Sequence, residues 1–266
     1  MSMQASSEHP VGPDLIPVRE VPVSYAFRWL RLGWQDLTRT PLSSLLHGAA
    51  VTVGGWIILA ITLRYWYLVP GAFSGFLLIG PILATGLYEL SRRLTQAEQP
   101  GMREAISAWR RGTRPLVWLG LMLVIAGTGW VLVSAVLFGL FVQAPITGVE
   151  SVLRHIVLSE GSFLFPVWIT LGGFGAAIVF AATVVSAPML LDRDVDMMTA
   201  VFTSIRAVGA NPITMAVWAS IIMVATGIAL LTVMLGFVLV IPVIGHATWH
   251  AYRDVVDVSS LPPRNC

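Results

Sequence analysis

Charged residues are scarce in this 266-residue sequence, in which 11% of residues are charged and 56% are hydrophobic. Soluble domains carry roughly 25% charged residues, so this composition argues against a water-soluble fold. The runs 115–149, 161–191 and 207–252 contain no Asp, Glu, Lys or Arg. Apolar surface of this extent has to face lipid. The sequence therefore predicts an all-α, polytopic helical membrane protein.

Lysine is absent, and cysteine occurs once, as Cys266. A single cysteine excludes an intramolecular disulfide and a cysteine-based zinc or iron–sulfur site. The 16 basic residues, all arginine, stand against 14 acidic ones, a balance that speaks against nucleic-acid binding. No G-x-S-x-G, P-loop or H-E-x-x-H pattern occurs. The sequence therefore predicts no enzyme activity.

Six apolar segments are each long enough to cross a bilayer, which takes about 20 helical residues. They lie at about 44–63, 68–88, 115–137, 163–187, 213–232 and 235–253. The last two are divided only by Gly227, Gly236 and Pro242, so a five-span alternative stays open. We divide the chain into a mobile N-terminal tail over 1–23, a six-helix transmembrane domain over 24–254 and a C-terminal tail over 255–266.

The arginines are distributed unevenly between the two predicted faces of the membrane. Fourteen of them fall in segments 1–43, 89–114, 192–212 and 253–266, whereas only Arg64 and Arg154 lie in the loops between. Cytoplasmic loops carry the excess of positive charge. The sequence therefore predicts a multi-pass protein of the bacterial inner membrane with both termini in the cytoplasm.

A short amphipathic stretch precedes each odd-numbered span and ends at a proline. These stretches cover 26–40, 104–114 and 199–211. In the first, apolar and arginine side chains occupy different helical faces. The pattern predicts three helical hairpins with cytoplasmic interfacial amphipathic helices. The arginines expected to face anionic lipid are Arg28, Arg31, Arg39, Arg103, Arg110, Arg111 and Arg114.

Small residues recur at four-residue spacing within the predicted spans. Gly71 and Gly75 form one such pair, and Gly172 with Ala176 forms another. This spacing lets two helix backbones approach closely. It predicts packing between helices of the same chain or, alternatively, a homo-oligomer.

The most distinctive string runs from Gly245 to Asp254, at the cytoplasmic end of the last predicted span. His246 and His250 are four residues apart and so share a helix face, and His47 lies at a similar predicted depth. These three histidines are candidate metal ligands. Alternatively, the histidines anchor the helix at the interface beside Trp249 and Tyr252. The identity of any cofactor stays open.

The acidic string Asp192, Asp194 and Asp196 resembles the start of a calcium-binding loop. The sixth position of that loop is Met197 instead of Gly, and the twelfth is Thr203 instead of Glu, so the match fails. We expect these carboxylates to cap the following helix instead, because a helix N-terminus favours negative charge.

The chain from about residue 20 onward resembles a family of uncharacterised bacterial integral membrane proteins, a domain of unknown function. The resemblance is carried by Leu32–Leu37, Pro41, Leu45–Gly48, Gly80–Pro81 and Gly245–Asp254. It implies a multi-helix inner-membrane protein with no assigned reaction. The family is loosely labelled a cytochrome c oxidase subunit. That label is not carried over, because no mid-span set of histidines could hold a haem and copper centre.

Three functions remain open on the sequence alone. The first is a structural, interaction or assembly role, with anionic membrane lipids, a second copy or a respiratory complex as partner. The second is a metal- or haem-associated protein linked to respiratory complexes. The third is a channel or carrier for a neutral solute, since the predicted spans lack the central ionisable groups that ion-coupled transport needs.

Overall fold

This computed structural model describes residues 16–62, 65, 68–110, 114–142, 163–259 and 261–264. Most of these residues are helical. Pairing of β type within these residues is limited to two isolated bridges, Val18 with Val256 and Arg193 with Pro263. The all-α prediction is confirmed. The helices are α1 (Ser24–Arg39), α2 (Pro41–Thr62), α3 (Val69–Leu78), α4 (Gly80–Leu83), α5 (Thr85–Thr95), α6 (Met102–Arg110), α7 (Arg114–Phe141), α8 (Leu164–Thr183), α9 (Ser186–Asp192), α10 (Met197–Ala210), α11 (Pro212–Leu231) and α12 (Phe237–Val255).

Three short helices, α1, α6 and α10, each stand immediately before a long apolar helix. The long helices begin at Pro41, at Arg114 just before Pro115, and at Pro212. Proline suits the first turn of a helix, where its missing N–H costs no hydrogen bond. Helix α10 begins with a side-chain cap, since Asp196 accepts a hydrogen bond from the Thr199 amide. The predicted capping role is thus confirmed for Asp196.

In the part of the chain that the structure describes, four helical segments have the length and composition to cross a membrane: Pro41–Ile61, Arg114–Phe141, Leu164–Asp192 and Pro212–Leu231. They correspond to the first, third, fourth and fifth predicted spans. The second predicted span is divided among α3, α4 and α5. The sixth is the continuous helix α12, which carries Arg253 and Asp254 in its last turn.

Pro81, Pro188 and Pro242 lie in or next to the second, fourth and sixth predicted spans, and the first two of them follow helix breaks. Helix α3 ends before Pro81, and α8 ends before Pro188. Proline cannot donate to the carbonyl four residues earlier and pushes against it, so each break falls in the turn that precedes the proline. Pro242 lies inside the unbroken helix α12.

Glycines set the closest helix contacts. A side-chain carbon at Gly33 of α1 would lie 2.4 Å from the Val243 carbonyl of α12, and one at Gly48 of α2 would lie 2.3 Å from the Val238 carbonyl. In the same way, Gly71 of α3 meets α7 at Val131. The Gly71 and Gly75 pair therefore packs helices of one chain together, as one of the two sequence interpretations predicted.

The segments that flank the helical region pack on it as far as the structure describes them. The Arg19 amide donates to the Val255 carbonyl, and the Asp257 amide donates to the Pro17 carbonyl, at 2.8 and 2.9 Å. Ile16 is buried. The described part of the predicted tail is thus bound to the end of α12 from residue 16 onward, because its backbone groups find partners there. Residues 1–15 lie outside the described residues.

Candidate functional site

A cluster of buried polar side chains joins four helices where α1 meets the second half of α12. The cluster, here called the polar network, consists of Asp36 and Thr40 of the α1 end, Ser44 of α2, Ser91 of α5, and His246 and His250 of α12. Ser44, Ser91 and His246 are 0% exposed, and Asp36 is 3% exposed. Polar groups buried to this degree need hydrogen-bond partners, and the network supplies them.

His246 is held by a serine on each side of its ring. Its Nε2 lies 2.9 Å from Ser44 Oγ, and its Nδ1 lies 2.7 Å from Ser91 Oγ. The Ser91 hydroxyl donates its own proton to Asp36 Oδ2 at 2.7 Å. In the neutral imidazole, Nδ1–H must then donate to Ser91, and Nε2 accepts from Ser44. Both ring nitrogens are therefore engaged within the protein.

Asp36 is the acceptor on which the network converges. Its Oδ2 atom receives hydrogen bonds from Ser91 and from His250 Nε2, the latter at 2.8 Å. Burial raises the pKa of the Asp36 carboxyl. The hydrogen bonds from His250 and Ser91 lower it and together outweigh burial, so that the pKa lies below its ordinary value of 3.8. The arrangement favours a carboxylate at neutral pH.

The three histidines proposed as metal ligands are placed differently from one another. His246 and His250 both join the polar network, whereas His47 Nε2 meets the backbone carbonyl of Leu83. Within the described residues, no three His, Cys, Asp or Glu side chains are grouped to hold a metal ion. Metal ligation by His246, His250 and His47 stays a prediction. In this conformation, their shared chemistry is hydrogen bonding between helices.

Ion pairs surround the polar network at the same end of the molecule. Glu89 accepts from Arg92 and Arg93 of its own helix, at 2.8 and 2.6 Å. Asp192 accepts from the Tyr252 hydroxyl at 2.8 Å and pairs with Arg253 at 3.2 Å. These buried carboxylates are each satisfied by at least two donors, which is what burial of a charge requires.

The arginines predicted to face lipid divide into three groups. Arg28 is engaged by the protein itself, pairing with Asp254 at 2.9 Å and lying over the Tyr25 ring. The exposed members that make no ion pair to another described residue are Arg31, Arg39, Arg103 and Arg114. The side chain of Arg110 and the whole of Arg111 lie outside the described residues. Acidic residues on neighbouring helices determine which arginines are paired within the protein. The spacing of residues in the sequence does not reveal these acidic partners.

The polar network contains residues that the sequence interpretation did not select. Asp36, Ser44 and Ser91 were not proposed as site residues, although Asp36, Thr40 and Ser44 follow one another at four-residue spacing across the start of α2. That spacing is the one local signal available. Because the network is buried, it offers no atom to a substrate in this conformation, and its evident capacity is to fix α1, α2, α5 and α12 together.

Comparison with known proteins finds a family match for the middle of the chain. Residues 68–192 match the model of a family described as a predicted integral membrane protein, DUF2189. This span includes Gly80–Pro81, one of the motifs that carried the predicted resemblance, and excludes the Gly245–Asp254 string. The chain has no match among curated proteins or solved structures. The family match and the four apolar helices together identify a multi-pass integral membrane protein.

Proposed function

We propose that this integral membrane protein is a non-enzymatic component of the bacterial inner membrane, with a structural or assembly role exerted through anionic lipid headgroups. In this proposal both termini are cytoplasmic. Six crossings form three hairpins, made by α2 with α3–α5, α7 with α8 and α9, and α11 with α12. The short helices α1, α6 and α10 lie at the cytoplasmic interface and bind the headgroups.

The surface of α1 carries the proposal. Phe27 and Trp34 are 60% and 49% exposed despite being large and apolar. Arg31 lies between them, exposed and without an ion pair to another described residue. Aromatic and arginine side chains that are exposed side by side favour the boundary between headgroups and hydrocarbon. Helix α1 therefore has the surface of an interfacial helix.

Helices α6 and α10 show similar surfaces. Met198 and Phe202 of α10 are exposed, as is Ile106 of α6 beside the exposed Arg103. Each such arginine near an anionic membrane surface contributes about 1 kcal/mol of attraction. Helices α1 and α6 would bind several anionic lipids or dock a partner with a complementary acidic face, such as a respiratory complex or a second copy. Helix α10, whose Arg206 donates to the Ile16 carbonyl, would add its apolar surface to this contact.

Amide hydrogen exchange on the full-length protein tests the lipid contact. The protein is reconstituted into nanodiscs of phosphatidylcholine alone or with phosphatidylglycerol. We expect slower exchange in α1, α6 and α10 when the anionic lipid is present, because the headgroups hold these helices in place. Helix α8, which carries no arginine, is the internal control. The variant R31Q/R39Q/R103Q/R114Q should lose the difference in α1 and α6, whereas equal exchange of the wild-type protein in both lipids would contradict the proposal.

The single cysteine provides a test of orientation. In intact spheroplasts, a membrane-impermeant maleimide should leave Cys266 unlabelled, and permeabilisation should expose it to the reagent. Labelling without permeabilisation would place the C-terminus outside and favour an odd number of crossings, as in the five-span alternative. The variant T232C in a C266S background should show the opposite pattern, since Thr232 lies between α11 and α12.

A further inference from the structure

An apolar groove lies between α1, α11 and α12, outside the polar network. Its volume is about 490 Å³, which falls in the range of roughly 300–1,000 Å³ found for small-molecule sites. Helix α1 contributes Phe27, Leu30, Arg31 and Trp34, α11 contributes Ala225, and α12 contributes the apolar residues at positions 239, 240, 243 and 244. Arg31 is the one charged residue in this lining.

One face of α1 lines the groove. Positions 27, 30, 31 and 34 lie on this face, since they follow the i, i+3, i+4, i+7 spacing of a helix surface. The adjacent face of α1 packs on α12 through Gly33, which meets the Val243 carbonyl. Ala225 lies in the second half of α11, seven positions after Trp218, whose ring centroid lies 5.7 Å from that of Trp29 of α1. The groove thus extends from α1 towards the middle of α11.

The charge at the groove distinguishes it from an ordinary lipid-facing crevice. Arg28, one turn earlier on the same helix, is neutralised by Asp254 at 2.9 Å. Arg31 is exposed and makes no ion pair with any other residue that the structure describes. A guanidinium pairs well with a phosphate oxygen, so the groove offers one cationic donor at α1 and apolar walls beyond it.

We propose that this groove binds one anionic glycerophospholipid, with an acyl chain along α11 and α12 and the phosphate at Arg31. The charge complementarity and the apolar lining both fit this occupant, and a lipid is the solvent that surrounds this part of a membrane protein. The inference deepens the proposed function and rests on its placement of α1 among the headgroups. It adds a single, saturable site to a general attraction for anionic lipid.

Trp34 provides a reporter inside the groove. The full-length protein is reconstituted into phosphatidylcholine vesicles that contain increasing fractions of phosphatidylglycerol brominated on its acyl chains. Bromine quenches tryptophan fluorescence on contact, and the difference in quenching between the wild-type protein and W34F isolates the signal of Trp34. We expect that signal to saturate at a low fraction of phosphatidylglycerol, and brominated phosphatidylcholine to quench only in proportion to its amount.

Two variants alter the site, and each has a control. R31Q removes the cation and should weaken the apparent affinity about fivefold, the contribution of one arginine near an anionic surface. R19Q removes an exposed arginine outside α1 that is already paired with Asp257 and should leave the affinity unchanged. A225F fills the groove and should abolish saturation. M223F places the same ring on an exposed position of α11 outside the groove lining and should bind as the wild type does.

The outcomes separate the groove from the general lipid contact. Quenching in proportion to lipid for both headgroups, or saturation unchanged by R31Q, would overturn the groove as an anionic-lipid site. Exchange in α1, α6 and α10 that still responds to phosphatidylglycerol would then leave the proposed function standing. Because Arg31 is exposed and pairs with no acidic residue that the structure describes, R31Q tests the site even where A225F fails to fold.

Discussion

The two ends of this molecule hold their helices together by different means. At the polar end, buried carboxylates accept several hydrogen bonds each, as Asp36 does from Ser91 and His250. In the apolar half, helices meet through glycines such as Gly75 against Gly127, and through single contacts such as Trp168 Nε1 donating to Ser134 Oγ at 3.0 Å. The first end combines directional bonds with close packing at Gly33, and the second relies on close packing.

The surrounding medium explains the difference. Lipid tails are as apolar as leucine, so apolar burial gives little preference for one helix arrangement over another inside the bilayer. Close approach of small residues then decides the contacts in the apolar half. At the polar end, an unpaired buried charge would cost several kcal/mol, so the arrangement in which the buried carboxylates keep their donors is favoured. The comparison therefore predicts unequal responses to matched substitutions.

The largest effect should follow removal of the Asp36 carboxylate. D36A leaves Ser91 and His250 without their acceptor, and loss of one partner from a buried charged pair costs about 3–5 kcal/mol. We expect a large fall in the thermal unfolding midpoint in mild detergent. D257A is the matched control, because Asp257 pairs with Arg19 at an exposed position, and it should change the midpoint little. A D36A protein as stable as D257A would show that the network contributes no stability.

The next effect should come from the glycine contacts, with a gradient between the two ends. G33A places a methyl group 2.4 Å from the Val243 carbonyl, whereas G75A places one 3.0 Å from the Gly127 carbonyl. Overpacking of this kind costs about 1–3 kcal/mol, with the greater loss expected for G33A because its added carbon lies closer to a backbone carbonyl than that of G75A does. G54A, with no atom within 4 Å of the added carbon, is the control. Equal unfolding midpoints for all three would contradict the gradient.

The sequence was informative about the apolar half and the short helices. Proline positions and hydropathy placed α2, α7 and α11 within a few residues of their starts, because a helix in lipid depends on its own composition. The helix breaks on either side of α4 were harder to predict, since Pro81 indicates a kink without showing how many turns it interrupts.

The polar end was harder to predict, because its partners are distant in the sequence. Asp36 and His250 are 214 residues apart, and no local pattern pairs them. The i, i+4 spacing of His246 and His250 was visible and suggested a shared ligand. The structure connects both to Asp36 on another helix, His250 directly and His246 through Ser91. Arg28 was assigned to lipid for the same reason, since its partner Asp254 lies on α12.

A smaller effect should separate two buried serines, one at each end. Ser91 and Ser134 are both 0% exposed. S91A removes a donor from a carboxylate and a partner from His246, and hydrogen bonds to charged groups contribute about 1.5–3 kcal/mol. S134A removes a single neutral bond from Trp168, worth about 1 kcal/mol. Chemical unfolding in detergent should therefore rank S91A below S134A in stability, and the reverse order would break the comparison.

The smallest expected effect is the dependence of the polar end on acid. The pKa of Asp36 in the folded protein lies below its ordinary value of 3.8. Its carboxylate therefore stabilises the fold fully above pH 3.8, and this contribution is lost as the pH falls through the lower folded value. Protonation leaves the side chain in place, so the loss should be smaller than that of D36A. The unfolding midpoint of the wild-type protein should fall more steeply below pH 3.8 than that of D36N, which has no carboxyl to protonate; parallel curves would assign the acid response to other groups.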